Sequence, residues 1–147
     1  MQQANELSDI IQQSVKAFEQ IPENTWVAKP DASKWSNQEI LGHLIDSACN
    51  NMRRLVVSQF EQNQKMIYHQ DHWIAAQNYQ QADYQELIDL WRLLNRQMVR
   101  VMNNIPESKL QNTCDTGKGT VAYHTLEFLM TDYVSHLKHH LNQILQK

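Results

Sequence analysis

WSNQEILGHLIDSA, residues 35–48, decides how the chain folds. Ser36-Asn37-Gln38-Glu39 is a capping box, in which the Ser36 hydroxyl accepts from the third helical amide while Glu39 reaches back to the Ser36 amide. Behind it Ile40, Leu41, Leu44, Ile45, Ala48, Met52, Leu55 and Val56 recur at helical spacing. That pattern predicts an amphipathic helix ending near Gln62. His43 sits inside the apolar run, so its ring is expected at the interior of the fold or at its edge.

Outward from this stretch the same periodicity repeats. Leu7, Ile10, Ile11, Val15 and Phe18 predict a first helix over Asn5 to Glu19; Pro22 ends it, and Trp26 to Trp35 reads as a connecting loop. Asn63 to Ala82 is polar and aromatic, a loop with a short helix around Trp73 to Tyr79. Asp83-Tyr84-Gln85-Glu86 is a second capping box, and Leu87, Leu90, Trp91, Leu94, Met98, Val101 and Ile105 form one stripe of a long helix. Pro106 stops it. Glu107 to Gly119 reads as a loop or a small hairpin-like excursion, and Thr120 as the cap of a last helix running nearly to the C-terminus. With three Gly and three Pro in 147 residues, little interrupts these helices. Four amphipathic helices bury their apolar faces together most simply as an all-α four-helix bundle, here one domain over residues 1–147.

Composition narrows the function. Lys and Arg number 13 against 16 Asp and Glu, a net charge of −3, and no basic run offers a footprint for nucleic-acid phosphates. No apolar run approaches the roughly 20 residues that cross a bilayer. Cys49 and Cys114 are too few and too isolated for a disulfide framework or a CxxC metal site. MQQANELSDI lacks the charged and apolar blocks of a signal peptide. The expected setting is the reducing cytoplasm.

Among seven histidines, His136 and His140 stand four apart on the last helix. On one face and one turn apart, their Cβ atoms lie roughly 6 Å from each other, and two such imidazoles can converge on one ion at Zn–N distances of about 2.0–2.1 Å. His139 points about 100° away and cannot easily join them. The face they share also carries Leu129, Asp132 and Gln143; Leu129 suggests an inward orientation, and Asp132, one turn before His136, can steady a ring or approach a metal. A His-x3-His pair also arises by chance on solvated faces, and a single buried histidine is commonly satisfied by one hydrogen bond, so neither feature chooses alone. His43, from another helix, is the third candidate ligand; three imidazoles leave coordination positions open, which suits catalysis.

Asp46, Ser47, Asn50 and Arg54 follow His43 along much the same side of its helix, either lining a substrate pocket above the metal or forming an amphipathic edge. His69, His72 and His124 read as surface or loop-packing residues, and Cys49 projects too far round the helix to be a fourth ligand. The chain has no phosphate-binding glycine loop, nucleophile elbow or Ser-His-Asp signature.

Two stretches, WSNQEILGHLIDSA at 35–48 and DYVSHLKHHLNQI at 132–144, resemble in content and order the DinB-like superfamily, which includes bacillithiol and mycothiol transferases. The resemblance extends over essentially the whole chain. It implies a four-helix bundle with one divalent metal ion (Zn, Ni, Fe or Mn) on a triad matching His43, His136 and His140, and commonly a homodimer. It further implies a metal-dependent thiol S-transferase that adds a low-molecular-weight thiol to an electrophilic small molecule, a metal-bound thiol losing its proton outright. Other members are described only as metal-dependent hydrolases. In that alternative water activated by the ion is the nucleophile, with Asp46 or Asp132 as the available catalytic base. A non-catalytic metal-binding helical module is the third reading.

Overall fold

The computed structural model describes residues 1–146. Its helices are α1 (Gln2–Phe18), α2 (Glu23–Val27), α3 (Asn37–Val57), α4 (Gln70–Gln77), α5 (Tyr84–Asn104) and α6 (Leu126–Gln146). Two short strands, β1 (Thr113–Asp115) and β2 (Tyr123–Thr125), pair antiparallel between α5 and α6. The four long helices form the bundle: α1 and α3 each pack against both α5 and α6. No helix among the described residues is long and apolar enough to cross a membrane.

α3 begins as its sequence dictates. Ser36 Oγ accepts from the Glu39 amide at 3.1 Å, and Glu39 Oε2 accepts from the Ser36 amide at 2.9 Å. Between Asn37 and Ala48 every residue except Glu39 is buried, so the first three turns of α3 are enclosed on all sides rather than on one stripe. The cause is added cover: besides α5 and α6, this end meets α2, α4 and a 3₁₀ turn at Tyr79–Gln81. At the start of α5 the Asp83 carboxylate accepts from the amides of Gln85 and Glu86; this is the forward half of the expected capping box.

Four boundaries differ from the periodicity. α3 stops at Val57 instead of near Gln62, because the chain turns to give the Asn63 amide to the Thr113 carbonyl and the Met66 amide to the Asp115 carbonyl, at 2.8 and 2.9 Å. The expected loop from Trp26 opens inside α2, where the buried Trp26 ring stacks on Tyr84 and meets Phe18 edge-on at 5.4 Å. The short helix expected around Trp73 to Tyr79 begins earlier, at Gln70, and ends at Asn78, whose φ of 49° is left-handed. Thr120 does not cap α6. The turn through Gly119 (φ 82°) carries the chain on into β2, and Thr125 Oγ1 accepts from the Phe128 amide instead. Gly117 makes that turn possible, since a Cβ there would lie 1.8 Å from the Thr120 carbonyl oxygen.

Aromatic packing holds the middle of the bundle, with Phe18 edge-on to both Trp26 and Trp91. Each such pair contributes about 1 kcal/mol beyond the area it buries. One polar group enters this core satisfied: buried Asn95 accepts from Tyr133 Oη at 2.6 Å and donates to the Trp91 carbonyl at 2.9 Å.

Candidate metal centre

α3 presents His43 from within its enclosed turns, and α6, packed beside it, presents His136 and His140 one turn apart. The three rings meet: centroids are 5.0 Å apart for His43 and His136, 4.7 Å for His43 and His140, and 4.5 Å for His136 and His140. One ring nitrogen from each lies within 4.8 Å of the others, the one such group of metal-binding side chains among the described residues. His43 Nε2 and His136 Nε2 are 3.1 Å apart.

These residues fit a metal ion. Two nitrogens bound to one ion at about 2.1 Å lie about 3.0 Å apart at a right angle and about 3.4 Å apart at a tetrahedral one, which brackets the observed separation. The protonation states also suit ligation, which needs neutral imidazole. Burial, with His136 and His140 beside it, pushes the His43 imidazole down to about 3. Burial and His140 push His136 down to about 4, against a smaller upward pull from Asp132. His140 is lowered too, chiefly by burial. Its Nδ1 meets Gln143 Oε1 at 2.9 Å; an Nδ1–H donating there leaves Nε2 with its lone pair towards the other rings. His43 Nδ1, by contrast, is buried without a partner, and its ring packs 5.1 Å from the Trp35 ring.

A cleft of about 740 Å³ reaches the group at His140. His140, Gln143 and Gln146 of α6 form one wall, Lys34, Trp35 and Ile40 another, and Asp71 of α4 stands at the rim. The segment before α3, read only as a loop, thus supplies much of the cleft.

The other expected site residues are not gathered there. Asp46, fully buried, accepts from Tyr79 Oη at 2.6 Å, just beyond α4, and from Gln77 Nε2 at the end of α4. Burial raises its carboxyl above the ordinary range. The Tyr79 ring comes this close because residue 42 is glycine; a Cβ there would stand 2.2 Å from the ring. Ser47 is buried and accepts from Asn51 Nδ2 at 3.2 Å. Asn50 donates to the Asp46 carbonyl at 2.9 Å. Arg54 clamps the 63–69 segment, donating to the Met66 carbonyl from Nε and a terminal nitrogen at 3.0 and 2.7 Å while lying over the Tyr68 ring. Asp132 is exposed on α6. Asn50 does line a cavity, of about 440 Å³, but with Cys49, Arg53, His69 and His72 rather than with the triad. His124 stacks on Phe128.

The model of the DinB superfamily matches residues 6–144 of the chain. No curated protein matches it by sequence. Among solved structures the fold is similar to YfiT from Bacillus subtilis, described as "a probable metal-dependent hydrolase with an unusual four-helix bundle topology". The TM-score is 0.88 at 19% identity, over 99% of this chain and 83% of that one. It is also similar to a mycothiol-dependent maleylpyruvate isomerase, with a TM-score of 0.77 at 8% identity over 95% of this chain and 58% of that one. A DinB-like protein of Bacillus subtilis, YjoA, aligns with a TM-score of 0.68 at 16% identity, over 98% and 87%.

Proposed function

The chain belongs to the DinB superfamily, and from that premise we propose that it is a metal-dependent enzyme in which His43, His136 and His140 hold one divalent ion. The observation that carries this is the convergence of three imidazoles from two helices, each held towards its neutral form by burial, with no carboxylate or thiol in the group. Such an ion supplies Lewis acidity, lowering the pKa of a thiol or water presented to it. The protein's own residues do the rest. Gln143 fixes the His140 tautomer, Trp35 and Ile40 make the cleft wall apolar, and Lys34 and Asp71 offer opposite charges at its rim.

The reaction proposed adds a low-molecular-weight thiol to an electrophilic small molecule by S-transfer: the S–C bond forms as the S–H and carbon–leaving-group bonds break, and the proton departs with the leaving group. The fold shared with a mycothiol-dependent enzyme supports it. A reducing cytoplasmic setting, in which Cys49 and Cys114 stay free thiols, and a homodimeric assembly belong to the same reading.

The likeness to YfiT favours a second reading, hydrolysis. Asp46 is poorly placed to be its base, with one carboxylate oxygen already engaged by Tyr79 and Gln77. That leaves Asp132, close enough to act electrostatically on His136. Elemental analysis of tag-free protein tests the premise: about one equivalent of metal, absent from both His43→Ala and His136→Ala, is expected. Metal retained without His43 overturns the triad. Cobalt-substituted protein whose visible spectrum shifts with cysteine or another small thiol supports transfer; ester or amide turnover lost with the ligands supports hydrolysis.

A further inference from the structure

On the seam between α1 and α5 the bundle leaves a groove of about 700 Å³, and none of its lining residues belongs to the metal centre or its cleft. Its floor is apolar: Ile11 and Val15 from α1 and Val99 from α5. Its rim is basic. Lys16 stands on the α1 side and Arg92, Arg96 and Arg100 on the α5 side, with Glu19 the one carboxylate in the lining. Four of the chain's 13 Lys and Arg thus meet at one groove of a protein whose net charge is −3.

The spacing says more than the charge. Arg92, Arg96 and Arg100 follow one another at four-residue intervals, so their attachment points repeat about every 6 Å over about 12 Å. A single headgroup needs its cations at one end of a groove; a row of cations beside an apolar floor suits a ligand whose anions repeat at the same pitch. A helix with carboxylates at i, i+4 and i+8 beside an apolar stripe has that pitch. Arg96 makes no ion pair among the described residues, while Arg92 reaches only Asp89 at 3.2 Å and Arg100 only the neutral Gln97 at 2.9 Å.

We propose that the α1–α5 groove receives an acidic amphipathic helix from a partner protein, apolar stripe on the floor and carboxylates along the arginine row. A second copy of this chain does not supply it. Among the described residues no helix carries more than two Asp or Glu: Glu6 and Asp9 in α1, Glu39 and Asp46 in α3, Glu86 and Asp89 in α5, Glu127 and Asp132 in α6. A phosphate backbone matches the charge but has no use for Ile11, Val15 and Val99, and the groove offers no aromatic ring on which a base could stack.

The probe is a designed 16-residue helix with a leucine stripe flanked by Glu at i, i+4 and i+8, titrated by fluorescence anisotropy into the full-length protein. The control is a peptide of the same composition in scrambled order. The designed helix is expected to bind, and binding should weaken at least ~10-fold in Arg96→Glu/Arg100→Glu and again in 0.5 M salt. Val15→Asp, which alters the floor without touching the row, should weaken it as well; circular dichroism of each variant shows that the bundle persists. Equal binding of the scrambled peptide overturns the proposal, as does indifference to the charge reversal. Binding of phosphatidylglycerol vesicles or of a single-stranded oligonucleotide in the helix's place overturns it in favour of those surfaces. A dimer that dissociates on Arg96→Glu/Arg100→Glu makes the groove an interface between copies and overturns it too.

Discussion

His43 and Asp46 stand one turn apart on α3, both essentially inaccessible to water. Asp46 has found complements for one of its oxygens: Oδ1 accepts from the Tyr79 hydroxyl and the Gln77 amide, and so fastens the end of α4 and the turn after it to the bundle, while Oδ2 is buried without a partner. His43 Nε2 faces two more imidazoles, its ring packs on Trp35, and its Nδ1 has no partner. Burying a polar group without a complement costs free energy. A buried polar group surrounded by its complements is therefore mortar, while one surrounded by its own kind is a socket whose complement comes from outside. On the function proposed above, that complement is a cation.

The largest effect should come from the socket. His43→Leu is expected to weaken zinc binding at least ~1,000-fold, about 4 kcal/mol, while metal-free stability in urea moves by less than about 1 kcal/mol, since the removed group had no complement to lose. A large loss of metal-free stability breaks the comparison. Gly42→Ala strikes the mortar through its geometry: with the Cβ 2.2 Å from the Tyr79 ring, unfolding should become easier by about 3 kcal/mol. Asp46→Leu leaves Tyr79 and Gln77 without their acceptor and should cost about 2 kcal/mol; the protein should still bind one metal ion. Loss of that ion, read by elemental analysis, would move Asp46 into the metal site. Gln143→Leu, which frees His140 Nδ1, should lower metal affinity about 10-fold and leave the urea midpoint of the metal-free protein almost unchanged.

The smallest effect is one of pH. Folding holds His43 near 3 and His136 near 4, below their ordinary 6.5, so between these values the unfolded chain binds more protons than the folded one. Metal-free stability from these groups is complete above pH 6.5 and falls as pH drops from there towards 4. Asp46, whose carboxyl is raised, titrates in the opposite sense and offsets part of the loss. Urea midpoints at pH 7.5 and 5.0 should differ less in His43→Leu than in the unaltered protein; an equal difference would mean that the imidazole is not held neutral.

The sequence made the bundle legible because helix starts and stripes are local. Ser36 caps α3 and Asp83 caps α5 where their spacing puts them. The triad was half local: His136 and His140 declare themselves by spacing, while His43, 93 residues away, could be marked only as a candidate by its place in an apolar run, with the family resemblance adding weight. What escaped was set by distant partners. Asp46 read as a candidate base because nothing near it announces Tyr79, 33 residues on. Arg54 read as a pocket residue because its carbonyl acceptor, Met66, lies across a turn that no stripe predicts. Thr120 looked like a cap because strands of three residues leave almost no periodicity, and the hairpin moved the true cap to Thr125.

Trp35 gives the metal centre an optical reporter. Its indole lies 5.1 Å from the His43 ring, whereas Trp26 and Trp91 are sealed in the aromatic core. Ions with part-filled d shells, such as nickel or iron, quench indole emission at short range; zinc, with its filled shell, does not. The emission lost as each ion enters, and its absence in Trp35→Phe, would therefore distinguish the candidate metals by colourless titration of the intact protein.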